Sequence, residues 1–207
     1  MRRHRTILNF FRDSRTLSAK CREEVAERNR ITLKYLCILY GVILVGYAVF
    51  SLFAFDSTQL HMLYLCFLVL HIVFCALTYR QITAKNSSAG VVTLLCVCFL
   101  SMLMAFIISI SLFPFPDRSA IYFSMILVAS SVVFSLPFDL SLTLTTLYTA
   151  LFITGVFLTK DSVAIAYDVS AAVGGFIVAC VCSFIVADMR LREIAVRSQL
   201  EYLSATD

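Results

Sequence analysis

The chain has 207 residues, 60% of them hydrophobic, with a mean hydropathy of +0.90 and a formal net charge of +4. A soluble globular domain carries about 45–50% apolar residues, so composition excludes an ordinary soluble enzyme or binding module and predicts an integral membrane protein. At about 20 apolar residues per crossing, the length suits roughly six helices with short loops and leaves no room for a second soluble domain.

Residues 1–31 are polar and basic, with a helical patch at SAKCREEVAERNRI. This segment is too long and too charged to open a cleaved signal peptide, and five further apolar runs follow the first. It is predicted to be a cytoplasmic N-terminal helix. The first span covers Thr32–Phe55 and ends in the turn DSTQ. The second covers Leu60–Tyr79, followed by the polar loop RQITAKNSSAG. The third, Val91–Phe113, ends at PFPDRS, whose prolines remove backbone donors and fix φ. The fourth is Ala120–Leu136. The fifth, Leu140–Thr159, follows the turn PFD, with Asp139 as the expected N-cap. The segment KDSVAIAYD then leads, as a loop, to the sixth span, Val169–Ala187, and residues 188–207 form a tail. The fold class is therefore all-α, a polytopic bundle of six transmembrane helices.

Fifteen of the 17 Lys and Arg fall in residues 1–34, the segment RQITAK and the tail. Lys and Arg accumulate on the cytoplasmic side of a membrane protein, so both termini and the 80–89 loop are predicted to be cytoplasmic. The 56–59, 114–119 and 160–168 loops then face outward. The same asymmetry sets topology and gives no sign of a nucleic-acid partner. Tyr35, Tyr79, Tyr122 and Tyr167 are the expected interfacial anchors, since the chain has no Trp.

Candidate chemistry in the spans is sparse. Seven of the eight Cys lie within spans, where they read as small packing residues. The C-x-C pairs Cys96/Cys98 and Cys180/Cys182 point to different helix faces, so neither clamps a metal alone. No metal site is predicted. The third to fifth spans carry no Asp, Glu, Lys, Arg or His, which disfavours a pump or proton-coupled carrier. His71, mid-span, is the exception. As a ligand, it would serve haem, a metal or a proton. A neutral His bonded across a helix interface is the simpler expectation. His61, ten residues earlier, stands about 15 Å away along the same helix and cannot share a metal with it. Asp56, His61 and Asp168 sit with Asp117, Arg118 and Asp161 where an outward-facing ligand site would have its lip. With His71, the residues Asp56, His61 and Asp168 form the candidate sensing set.

The hydroxyl-rich fifth span, with Ser130, Ser131 and Ser135 on the fourth, either lines a small polar cavity or bonds between helices. In the sixth span Ala171, Gly175 and Ala179 form a small-x-x-x-small ladder, joined by Gly174. Such ladders admit close helix approach, within the chain or in a dimer. No phosphate-binding loop, dinucleotide fingerprint, zinc-protease motif or nucleophile elbow is present.

The tail continues the sixth span with Met189, Val196, Leu200 and Leu203 on a heptad-like spacing, and Glu193 fills the remaining seam position. Its last ten residues, SQLEYLSATD, resemble the junction that precedes GGDEF domains, the catalytic domains of diguanylate cyclases. In that family a linker helix closes on a pattern like L-x-x-L-[AS]-x-x-D, and an L-T-G-L-x-N-R-R segment opens the cyclase domain. Leu200, Leu203, Ser204 and Asp207 match this pattern, and Asp207 stands at the domain's first position. The resemblance implies a bacterial inner-membrane sensor region, homodimeric through the sixth span and tail, that answers an unknown small-molecule or membrane-state stimulus. It also implies a cytoplasmic cyclase domain beyond residue 207 that condenses two GTP to cyclic di-GMP with Mg²⁺. The catalytic and metal-binding residues of such a domain would all lie past Asp207, and this chain itself carries no catalytic residue and no cofactor. The competing readings are the input region of a histidine kinase, which the ending LSATD disfavours, and a stand-alone channel, facilitator or lipid-binding protein, which would need polar groups deeper in the bundle.

Overall fold

The computed structural model describes residues 22–54, 57–83, 88–113 and 121–204. Within them the chain forms six helices and no strand: α1 Arg22–Ala54, α2 Thr58–Thr83, α3 Ala89–Leu112, α4 Ile121–Val133, α5 Phe138–Thr159 and α6 Ser162–Ser204. Five are long and apolar enough to cross a membrane, all except α4. Large apolar side chains such as Ile38, Val42, Leu52, Leu77 and Leu158 lie on the outer surface. Apolar outer faces suit a hydrocarbon solvent.

α1 packs on α2 and α3, while α4 and α5 pack on α6, and α3 joins the two groups. α1 and α2 run in opposite directions, as do α5 and α6. At one end, called here the near end, Arg30 of α1 reaches Ile82 of α2, Asn29 reaches Ser135 after α4, and Arg28 reaches Glu193 of α6. At the far end, His61 of α2 reaches Ser51 of α1. The start of α1 and the tail of α6 thus share one end of the bundle.

Several boundaries differ from those expected from hydropathy. α1 begins ten residues before Thr32. Its buried positions Ala26, Asn29, Leu33, Cys37, Tyr40, Leu44, Ala48 and Ser51 recur at helical spacing, so the basic segment packs in line with the span and extends it. α4 is shorter than expected. Pro137 disfavours helical φ/ψ at Leu136, and the helix ends at Val133. Its 13 residues extend about 20 Å, against a hydrocarbon core of about 30 Å. Asp139 is not the cap of α5: Pro137 occupies the N-cap position, without a side-chain bond, and Asp139 sits inside the first turn. There its carboxylate faces the positive end of the helix dipole. α6 begins at Ser162, so most of the segment expected to be an outward loop is helix, Asp168 included.

The α4–α6 contact is set by small residues. A methyl group at Gly175 would sit 2.8 Å from Ser124 Cβ and 3.1 Å from its Cα, whereas one at Gly174 would meet nothing within 4 Å. Ser124 Oγ donates to Ala171 O at 2.7 Å, and Ala179 is fully buried. The Ala171–Gly175–Ala179 ladder is therefore occupied within the chain, against α4, and Gly174 faces away from it.

Gly175→Ala is expected to destabilise the bundle by about 1–3 kcal/mol through overpacking. Gly174→Ala should be neutral or stabilising by up to about 1 kcal/mol. Thermal unfolding of the two variants in the same detergent checks the contrast, and equal shifts would contradict the α4–α6 register.

Candidate functional site

Three polar clusters stand out in this apolar bundle. The first is intramembrane, between α1 and α2. His71 is buried, and its Nε2–H donates to Cys37 O at 2.9 Å, with Cys75 Sγ at 3.5 Å from the same nitrogen. A carbonyl only accepts, so this bond fixes the tautomer and leaves Nδ1 as the ring's acceptor. Tyr40 meets the ring edge-on, with centroids 5.0 Å apart. Gly41 permits the approach: a Cβ there would lie 3.2 Å from His71 Nε2. Phe99 and Phe106 close around Tyr40 with edge-to-face contacts. Tyr40 Oη and His71 Nδ1 are buried without a hydrogen-bond partner. Unsatisfied groups of this kind cost about 1–3 kcal/mol each in a protein interior.

The second cluster closes the far end of the α5–α6 hairpin. Lys160, the residue after α5, donates from Nζ to Asp168 Oδ2 at 2.5 Å, and both side chains are fully buried. Asp168 was expected on the lip of an outward site. It lies instead in the second turn of α6, turned inward, because Lys160 neutralises it across the hairpin. Lys160 falls in the 160–168 segment that hydropathy marks as an outward loop. The only trace of the pairing was its opposite sign, eight residues before Asp168.

The third cluster is at the near end, where three consecutive residues of α1 engage three different elements. The Asn29 amide makes both bonds to Ser135: Oδ1 accepts from Ser135 N at 2.7 Å, and Nδ2 donates to Ser135 O at 3.2 Å. Arg30 forks onto the Glu27 carboxylate and donates from Nη1 to Ile82 O, in the last turn of α2, at 3.3 Å. A guanidinium suits the negative end of that helix. Arg28 Nη2 lies 3.5 Å from Glu193 Oε1, with both side chains largely solvated.

The other candidate residues distribute as follows. His61 Nε2 bonds Ser51 O at 2.7 Å at the far end, apart from His71. Asp56 lies outside the described residues. Ala171, Gly175 and Ala179 serve the internal α4–α6 contact. Met189 and Val196 are exposed on the tail, at 63% and 55%. Leu200 and Leu203 lie on the helix, but their side chains are outside the described ones. The hydroxyls of α5 line no shared cavity: Thr143, Thr145, Thr146, Thr149 and Thr154 each bond the carbonyl four residues back, and Ser141 meets Ser183 of α6 at 3.1 Å. Among the described residues, no three His, Cys, Asp or Glu are placed to hold a metal ion.

Breaking the buried ion pair from one side leaves an uncompensated charge. Asp168→Leu or Lys160→Met alone is expected to cost about 3–5 kcal/mol, whereas the double replacement K160M/D168L should be near neutral. A double-mutant cycle on unfolding in detergent measures the difference. Additive single effects would show that the two charges do not act as a pair.

The chain matches no protein-family model, and no curated protein and no solved structure is similar to it.

Proposed function

We propose that the chain is the membrane sensory region of a signalling protein, and that α6 conveys the state of the bundle to a cytoplasmic output. The observation that carries this reading is the continuity of α6. It is one helix of 43 residues, about 65 Å long, rooted beside the buried Lys160–Asp168 pair and leaving the bundle with apolar Met189 and Val196 exposed. A rigid helix transmits rotation or translation without loss along its length, and such small shifts are a common form of switching.

In this reading the chain makes six crossings, with α4 as the short one, and the near end faces the cytoplasm. Arg28, Arg30, Lys34, Arg80 and the tail arginines cluster there. The protein sits in a bacterial inner membrane and pairs with a second copy through the tail seam. The Ala171–Gly175–Ala179 ladder contributes to this pairing only by fixing α6 against α4. The stimulus is met at Tyr40 and His71, whose hydroxyl and Nδ1 are both buried without a hydrogen-bond partner. The stimulus shifts the equilibrium only as far as it favours one arrangement of α1, α2 and α3. The output is a GGDEF-type cyclase that makes cyclic di-GMP from GTP with Mg²⁺, a proposal supported by the match of Leu200, Leu203, Ser204 and Asp207 to the family's junction.

The test is to read the coding sequence past Asp207. A following segment like L-T-G-L-x-N-R-R and a GGDEF-type loop are expected. A stop codon, or a different domain, would remove the cyclase from the proposal. Where the cyclase follows, Tyr40→Phe with His71→Phe should leave the protein folded in the membrane while abolishing the response of cyclic di-GMP production to the stimulus. An unchanged response would place sensing elsewhere.

A further inference from the structure

Two thiols face one another across the α1–α2 contact. Arg30 of α1 reaches the carbonyl of Ile82 in α2. Seven residues on along α1 and seven back along α2 are Cys37 and Cys75, and a step of seven residues is close to two helical turns, on the same face. In an antiparallel pair this places the two cysteines opposite each other at one height. The carbonyl oxygen of Cys37 and the sulfur of Cys75 accordingly lie 2.9 Å and 3.5 Å from the same atom, His71 Nε2, and the two thiols hydrogen-bond each other.

The two sulfurs are not equivalent. His71 Nε2–H is shared between the Cys37 carbonyl and Cys75 Sγ, and Cys37 S–H donates to Cys75 Sγ as well. Two donors thus point at Cys75, which makes it the better placed of the pair to carry negative charge as it attacks. Cys75 is also partly exposed, whereas Cys37 is 7% exposed. A reagent arriving from outside the bundle therefore meets Cys75 first, with Cys37 behind it in the helix contact. Cys75 is eight residues from the end of α2 at Thr83, about 12 Å along the axis. A reagent that reaches it through hydrocarbon must be uncharged, and one that enters a contact between packed helices must be small.

We infer that Cys37 and Cys75 form a dithiol that hydrogen peroxide converts to a disulfide between α1 and α2, with Cys75 as the attacking thiol and Cys37 as the resolving one. Hydrogen peroxide is both small and uncharged. The Cys75 sulfur attacks one peroxide oxygen, the O–O bond breaks, and the thiol proton leaves with the displaced hydroxide as water, giving a sulfenic acid. The Cys37 sulfur then attacks Cys75 Sγ, the S–O bond breaks, and the Cys37 proton leaves with that hydroxyl as a second water. The two thiols together give up two electrons and two protons, and one peroxide is reduced to two waters. This site goes beyond the sensory reading proposed above and does not depend on it.

The experiment treats the full chain in native membranes with hydrogen peroxide, unfolds it in detergent with N-ethylmaleimide to block the remaining thiols, and maps the cysteines by peptide mass spectrometry. A linked Cys37–Cys75 peptide from the monomer band is expected, and dithiothreitol should remove it. Cys37→Ser should stop the reaction at a sulfenic acid on Cys75, trapped as its dimedone adduct. Cys75→Ser should leave Cys37 as a free thiol, without an adduct. Serine differs from cysteine by one atom, so both variants keep the α1–α2 contact. Both thiols still free after peroxide in the unaltered chain would overturn the site, as would a disulfide from either residue to another cysteine. A dimedone adduct on Cys37 in the Cys75→Ser chain, with none on Cys75 in the Cys37→Ser chain, would overturn the assignment of attacking and resolving thiols.

Discussion

Hydrocarbon offers no hydrogen-bond partner, so every backbone polar group that enters it must be satisfied by the chain itself. The structure is organised by that constraint more than by any one apolar contact. Threonines along α2, α3, α5 and the end of α5 turn back on the carbonyls of their own helices. The interruption between α4 and α5 follows from Pro137. The break leaves the Ser135 peptide without its helical bonds, and the Asn29 amide, which presents a donor and an acceptor side by side, takes both. Among the described residues, the fully buried Lys160 lies against the fully buried carboxylate of Asp168. Where apolar residues are interchangeable in lipid, these few polar contacts set which helix stands beside which, and at what height.

The same constraint decides what could be read from sequence. Apolar runs of about 20 residues announce themselves, so the all-helical class and five of the helices were legible, as was a buried His71 bonded across a helix interface. Boundaries were less so, because hydropathy marks where a helix enters lipid and not where it begins. α1 starts in charged sequence since its seam, through Ala26, Asn29 and Leu33, carries on regardless of the charge on its other faces. Asp168 reads as loop by its charge alone. Its place inside α6 depends on Lys160 arriving from across the hairpin, and periodicity within one helix cannot show a contact made around a turn. Gly174 and Gly175 are equivalent in sequence. Only the position of Ser124 on α4 distinguishes them.

Along α6 the two jobs of the helix fall on different faces. Within the bundle the inward positions are Asp168, Ala172, Gly175, Ala179 and Ser183. In the tail the stripe is Met189, Glu193 and Val196. At about 100° per residue Met189 and Val196 lie roughly 80–100° around the helix from the centre of the first stripe, while Glu193 falls on the azimuth of Gly175. Glu193 therefore looks back toward the bundle, where Arg28 of α1 meets it. Because the two stripes share one rigid backbone, any rotation of α6 against α4 turns the tail stripe by the same angle. The small residues that hold α6 close to α4 give that rotation a short lever and little slack. Arg28, next to the anchored Asn29, stands 3.5 Å from Glu193, so this pair ties the tail of α6 to the start of α1. Geometry of this kind needs no charged pathway through the membrane, and it fits spans that are nearly devoid of ionisable residues.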